Sequence, residues 1–209
     1  MKNGLNSWDS SWEVVFQTQE WGKYPPEELV RFIARNFYKV PNRNDIKILD
    51  LGCGTGAATW YIAREGFSAY GIDGSETAIK IAKQRFQNEN LKGAFKVGDI
   101  IKLDYPDSFF DCVIDVMSLL HNRIDNLKII LDEAYRVLRH NGKIFSMVFS
   151  KNCKISKESN QLLRKGYTNF FSKEELVDLF STFANVNIET TERTDRSNFC
   201  SYYVLTAEK

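Results

Sequence analysis

From Lys47 onward, short apolar runs alternate with segments whose apolar residues recur every three to four positions. This alternation constrains the fold more than any other feature, because it builds a parallel sheet with helices on both faces. Strands are expected at Lys47–Leu51, Ser68–Asp73, Ala94–Gly98, Phe110–Val116 and Lys143–Phe149. The Phe110–Val116 run is apolar on both faces, as a central parallel strand requires. Helices are expected at Thr55–Glu65, from a Ser75 cap to about Phe86, and at Asn126–Leu138, with Asn141-Gly142 as the turn into the fifth strand. Ser172 and Glu175 form a capping-box pattern before another helix. Late strands near Val186–Thr191 and Ser201–Ala207 join through a short polar stretch and are expected to form an antiparallel edge.

Two segments depart from this rhythm. Residues 1–40 carry Trp8, Trp12, Trp21 and Tyr24, then Pro25-Pro26 and a helix with Leu29, Phe32, Ile33 and Phe37 on one face. This segment is expected to pack on the main body as a lid. Residues 150–171 break the pattern and hold Lys151, Lys154, Lys157, Arg164 and Lys165; a loop this long points to a substrate-side insertion. The whole of 1–209 is expected to form one domain.

The chemistry concentrates where strands end. Asp50-Leu51-Gly52-Cys53-Gly54-Thr55-Gly56 leads from the first strand into a helix. Glycines there permit a tight turn and close approach of a ligand to the main chain. The helix start offers free N–H groups to a pyrophosphate or to the carboxylate of an amino acid. Gly52, Gly54 and Ala57 also fit the dinucleotide fingerprint loosely, so an NAD-dependent oxidoreductase stays open at this point. Asp50 favours the ammonium and sulfonium charges of S-adenosylmethionine (SAM) and repels a pyrophosphate. Asp73, followed by Gly74, suits the ribose hydroxyls of either cofactor. Asp99 with Ile100 suits an adenine amine and ring, and Asp115 precedes Val116 and Met117 on the fourth strand.

Taken together, Asp50 to Gly56, Asp73, Gly98-Asp99-Ile100 and the strand ending at Asp115 resemble the motifs of class I SAM-dependent methyltransferases, as does Arg136 to Lys143 at the turn into the fifth strand. The resemblance covers roughly Lys47 to Lys209. It implies a Rossmann-like, doubly wound, mostly parallel seven-stranded sheet with an antiparallel C-terminal edge strand. It implies in-line methyl transfer from SAM, with S-adenosylhomocysteine leaving. By this resemblance Gly52, Cys53 and Gly54 contact the amino acid tail and ribose, and Asp73 and Gly74 lie at the ribose. Asp99 and Ile100 hold adenine, and Asp115, Val116 and Met117 lie near the methionine amine. Trp21 and Tyr24 close over the cofactor, and His121 is the candidate base. A module that binds SAM without catalysis remains the other alternative.

The acceptor is less legible. Ser118 does not continue Asp115-Val116-Met117 into the Pro-Pro-aromatic motif of DNA and protein-amide N-methyltransferases. A net charge of +1 gives no general pull toward nucleic acid or membrane, and a small molecule is expected, with Arg164, Lys165 and Tyr167 as candidate contacts to an anionic or sugar-like acceptor. The four cysteines, Cys53, Cys112, Cys153 and Cys200, lack metal-ligand spacing. They suit a reducing compartment, and no leader-like apolar start is seen, so a cytoplasmic location is expected.

Overall fold

The computed structural model describes residues 6–154, 167–195 and 198–209. Two helices come first, α1 (Ser11–Thr18) and α2 (Glu27–Phe37). Then follow β1 (Lys47–Leu51), α3 (Ala57–Arg64), β2 (Ser68–Asp73), α4 (Glu76–Asn88), β3 (Ala94–Val97), β4 (Phe110–Val116), α5 (Ile124–Val137) and β5 (Leu138–Phe149). The chain closes with α6 (Lys173–Leu179), β6 (Ala184–Asp195) and β7 (Asn198–Glu208).

The strands form one seven-stranded sheet in the order β3-β2-β1-β4-β5-β7-β6. Strands β1 to β5 are mutually parallel, and β7 runs antiparallel to both β5 and β6. The antiparallel pair thus stands at one sheet edge, as expected, with β6 outermost and the last strand inserted beside β5. Connections run outward from β1 in one direction through β2 and β3, then in the other through β4 and β5. The loops after β1 and β4 therefore part, and a crevice opens at the carboxyl ends of the strands.

Alternation along the strands feeds two cores. On β5, Ile144 and Val148 pack toward α5 and α6, with Leu127, Ile130, Leu131 and Leu176. Phe145 and Met147 face the other way, onto Leu29, Phe32 and Ile33 of α2 and Ile62 of α3. The apolar face expected after Pro25-Pro26 is thus buried throughout: Leu29, Phe32, Ile33 and Phe37. Ser75 caps α4 by accepting the Ala78 N–H at 3.0 Å, and the Ser172–Glu175 capping box is closed in both directions.

Three local expectations change. The helix expected from Thr55 begins at Ala57, because Gly56 takes a left-handed φ of 83°. Asn141-Gly142 is not a separate turn before β5. The strand starts at Leu138, opposite Phe110, and absorbs Asn141 at φ 60° as an irregularity. Lys209 holds it there: the Asn141 N–H reaches its carbonyl at 3.0 Å, and its own N–H reaches the Gly142 carbonyl at 2.9 Å. Helix α1 has no counterpart in the expected elements. Of the basic insertion, Ser150 bridges Phe171 and Lys154 bridges Phe199, while Lys157, Arg164 and Lys165 lie outside the described residues.

Candidate functional site

The turn after β1 is built on glycine. Gly52 sits at φ 61°, where an added Cβ would lie 2.0 Å from the Ser118 hydroxyl oxygen. An L side chain there meets both the left-handed penalty and a collision. The loop is then laced to the end of β2. The Cys53 N–H donates to the Ile72 carbonyl at 3.0 Å, and the Gly54 N–H donates to Asp73 Oδ2 at 2.8 Å. The other Asp73 oxygen accepts the Ser75 N–H at 2.8 Å, so one carboxylate ties the glycine loop to the start of α4.

Beneath the loop lies a group of buried acids. Asp50 accepts the Thr59 N–H at 3.1 Å and its hydroxyl at 2.7 Å. Burial, with Asp115 and Asp73 nearby, pushes the Asp50 carboxyl up to about 7. Burial also raises Asp115, to about 6, against the hydrogen bonds from Ser146, Leu119 and Ser118. Asp73 is raised by burial and held down in part by the Ser75 and Gly54 N–H groups. Such a site favours a positively charged partner over an anion.

At the end of β4, Met117 adopts φ 66°. This uncommon backbone reverses the chain and brings the Ser118 and Leu119 N–H groups to Asp115 Oδ1, at 2.9 and 2.8 Å. A single 3₁₀ turn, Leu119–His121, presents His121 beside the crevice. Its Nδ1 lies 2.9 Å from the Tyr167 carbonyl oxygen. A carbonyl only accepts, so Nδ1 carries the proton and Nε2 keeps its lone pair. Burial drives the imidazole down to about 4, so the ring is neutral. It packs edge-on against Trp12, centroids 4.6 Å apart.

The N-terminal segment roofs the crevice. Glu13 of α1 accepts the Ser75 and Thr77 hydroxyls, both at 2.5 Å. These bonds hold its carboxyl below the usual range and seat its charge at the positive end of α4. The ring of Trp8 lies against Gly74, where an added Cβ would fall 2.1 Å from it. Trp12, Phe16 and Trp21 pack against one another at centroid distances of 5.5–6.1 Å.

Between roof and sheet lies a cavity of about 410 Å³. Asp50, Gly52, Cys53 and Gly54 line it from the first strand end, and Asp73 and Gly74 from the second. Asp99 and Ile100 follow β3, Val116 and Met117 end β4, and Trp21, Tyr24 and His121 complete the set read from the sequence. Asp115 alone of that set is not in the wall, because its carboxylate turns inward to Ser118, Leu119 and Ser146. No Lys or Arg among the described residues lines the cavity, whereas Asp9, Asp50, Asp73 and Asp99 do.

Comparison with known proteins finds a methyltransferase domain within this architecture. Residues 48–142 match a methyltransferase-domain family. The demethylmenaquinone methyltransferase of Tropheryma whipplei (strain Twist) is 35% identical over 105 residues, 50% of this chain and 42% of that protein. The ubiquinone biosynthesis O-methyltransferase of Pelagibacter ubique is 29% identical over 153 residues, covering 65% of this chain and 62% of that one. A crystal structure of a SAM-dependent methyltransferase from Methanosarcina mazei superposes with a TM-score of 0.66 at 25% identity, over 79% of this chain and 93% of that one. Over residues 48–142 the chain is thus similar to the methyltransferase domain of SAM-dependent enzymes. It spans about half the length of the first curated relatives it matches.

The similarity favours SAM over NAD as the cofactor, and the walls of the cavity suit that choice. Buried acids face the cavity and no described basic side chain does, so a sulfonium and an ammonium are matched where a pyrophosphate is not. Several lining residues escaped the sequence reading: Ser7, Phe16, Ser118 and Phe149. Phe16 shares a helical face with Trp12 and Val15, but over eight residues that spacing does not mark a helix. Ser118 and Phe149 carry no signal that spacing reveals.

Proposed function

We propose that this chain moves a methyl group from SAM to a small, uncharged acceptor bearing an apolar ring. The observation that carries the reading is the cavity's composition: acids at the strand ends, aromatic rings in the roof, and no described Lys or Arg in the wall. Bound there, SAM supplies a methyl group already activated by its sulfonium charge.

The chain's own residues then bind, orient and exclude water. Gly52, Cys53 and Gly54 offer their main chain to the amino acid tail and ribose, and Asp73 with Gly74 takes the ribose hydroxyls. Asp99 and Ile100 frame the adenine, whose amine shares the Asp99 carboxylate with Ser7. Main chain at Val116 and Met117 lies by the methionine amine, while Asp115 positions that turn from behind. Trp21 and Tyr24 cover the cofactor as part of a lid formed by residues 1–40. His121 takes the acceptor's proton on Nε2 when the acceptor must lose one. Tyr167 supports the ring through its carbonyl and stands at the edge of the substrate-side segment.

Among the described residues no helix is long and apolar enough to cross a membrane. The free cysteines suit a cytoplasmic chain.

Calorimetry with SAM, S-adenosylhomocysteine and NAD, followed by labelled methyl transfer to a panel of phenols, quinols, amines and phosphate esters, tests the proposal. Saturable SAM binding and turnover of neutral ring acceptors are expected. Preferential NAD binding, SAM binding without transfer to any acceptor, or methylation confined to phosphate esters each overturns it.

A further inference from the structure

We propose that Cys153 and Cys200 form a reversible thiol pair that closes into a disulfide between the chain leaving β5 and the start of β7. Spacing in the sequence gives no hint of this pairing. The backbone does. The Lys154 N–H donates to the Phe199 carbonyl at 2.7 Å, and the Phe199 N–H donates back to the Lys154 carbonyl at 2.9 Å. This mutual exchange defines a hydrogen-bonded antiparallel pair.

The next pair in such a ladder is the non-hydrogen-bonded kind, with Cα atoms about 4.5 Å apart and side chains closest together. One step back from Lys154 is Cys153, and one step forward from Phe199 is Cys200. Before this pair the register shifts by two residues: Phe149 pairs with Tyr202, the Ser150 N–H reaches the Ser201 carbonyl at 2.9 Å, and a turn closed by the Cys153 N–H on the Ser150 carbonyl at 3.0 Å brings Cys153 up beside Cys200. A disulfide needs Cα atoms about 4.4–6.8 Å apart, a range that side chains facing each other across neighbouring strands meet. The two thiols already contact each other through a side-chain hydrogen bond.

Accessibility separates this pair from the other two cysteines. Cys153 and Cys200 are half-buried, within reach of a small oxidant, whereas Cys53 and Cys112 are buried. Burial and the neighbouring thiol hold the Cys153 thiol above its ordinary range, so closure quickens as pH rises.

The chemistry balances with a small-molecule disulfide as oxidant. One protein thiolate attacks a sulfur of that disulfide and expels a thiolate, leaving a mixed disulfide. The second protein thiolate attacks the protein sulfur and expels the other small thiol. The protein loses two electrons and two protons, and the small disulfide becomes two thiols. The bond ties residue 153, four residues after Phe149, to residue 200, two before Tyr202 of β7; Phe149 lines the cavity and stacks on Tyr202. A transient cytosolic disulfide of this kind is regulatory rather than structural.

The test equilibrates the full chain in glutathione buffers of graded redox ratio. Free thiols are then trapped with iodoacetamide, and digests are read by mass spectrometry. The expected product is a peptide linked through Cys153 and Cys200, two hydrogens lighter than its parts, with Cys53 and Cys112 alkylated only after denaturation. Cys200→Ser is expected to abolish the link and leave glutathione on Cys153. Wild-type protein that carries only glutathione adducts, a different pairing, or fully reduced Cys153 and Cys200 in the most oxidising buffer overturns the proposal. None of these readings depends on methyl transfer.

Discussion

The Ser7 main chain and side chain both donate to Asp99, the backbone N–H at 2.6 Å to Oδ2 and the hydroxyl to Oδ1. Trp8 adds its N–H at 3.1 Å and Ile101 donates from the other side at 3.0 Å. A carboxylate expected to serve the cofactor's adenine thus also anchors the N-terminal segment over the cavity. Replacing Asp99 with Ala removes both roles at once. The loss of charge-assisted bonds predicts a SAM Kd raised by roughly tenfold or more, and faster proteolysis near residue 10. Calorimetry and limited proteolysis check this. Wild-type values in both would show that neither anchor depends on Asp99.

The neutral His121 ring sets a pH signature. Its value of about 4 means that the form able to accept a proton is present throughout the neutral range. If Nε2 takes the acceptor's proton, kcat at saturating SAM stays flat from about pH 8 to pH 5 and falls as pH drops through about 4. His121→Ala is expected to lower kcat by roughly 100-fold while leaving SAM affinity within about threefold. A break near 6.5 in the wild-type profile, or wild-type turnover in the variant, removes the base role.

Much of this architecture was legible because buried parallel strands write continuous apolar runs, and because acids ending those runs face one crevice. Twelve positions that the family resemblance assigned to the cofactor, from Trp21 to Met117, line one cavity with His121. What escaped depends on distant contacts. Helix α1 is eight residues long, too short for periodicity to separate it from a cluster of tryptophans, and it is docked by Glu13 reaching Ser75 and Thr77. Asp115 ends its strand as the other acids do, yet the left-handed Met117 swings two N–H groups onto it and turns it away from the cavity. The β6–β7 pair satisfies the same local pattern whichever strand joins β5; only pairing with residues 143–149 decides it.

Gly52 offers a test that separates backbone from packing. Gly52→Ala must hold φ near 61° and place its methyl on Ser118. The left-handed backbone costs about 1–2 kcal/mol, and the collision adds to it. Urea denaturation is expected to report a loss above about 2 kcal/mol, together with loss of SAM binding. Adding Ser118→Gly removes the obstructing side chain and is expected to return part of that loss, leaving the backbone component. A double variant no more stable than Gly52→Ala would place the whole cost in the backbone.

Asp50 makes stability fall as pH rises. Its folded value of about 7 stands above the ordinary carboxylate value of about 3.9. Between those values the folded state holds more protons than the unfolded one, so stability is full below about pH 4 and is lost as pH climbs through about 7. Asp115, at about 6, acts in the same direction. Asp50→Asn keeps an oxygen for Thr59 and removes the buried charge. The ligand-free variant is therefore expected to melt higher than wild type at pH 8, by about 2–4 °C for each kcal/mol relieved, and to match it at pH 4. SAM affinity should move the other way, since the positively charged cofactor loses a buried counter-charge. Thermal scans at the two pH values, with and without SAM, read both effects. A variant that melts lower than wild type at pH 8 without ligand would mean that the Asp50 charge is offset within the protein itself.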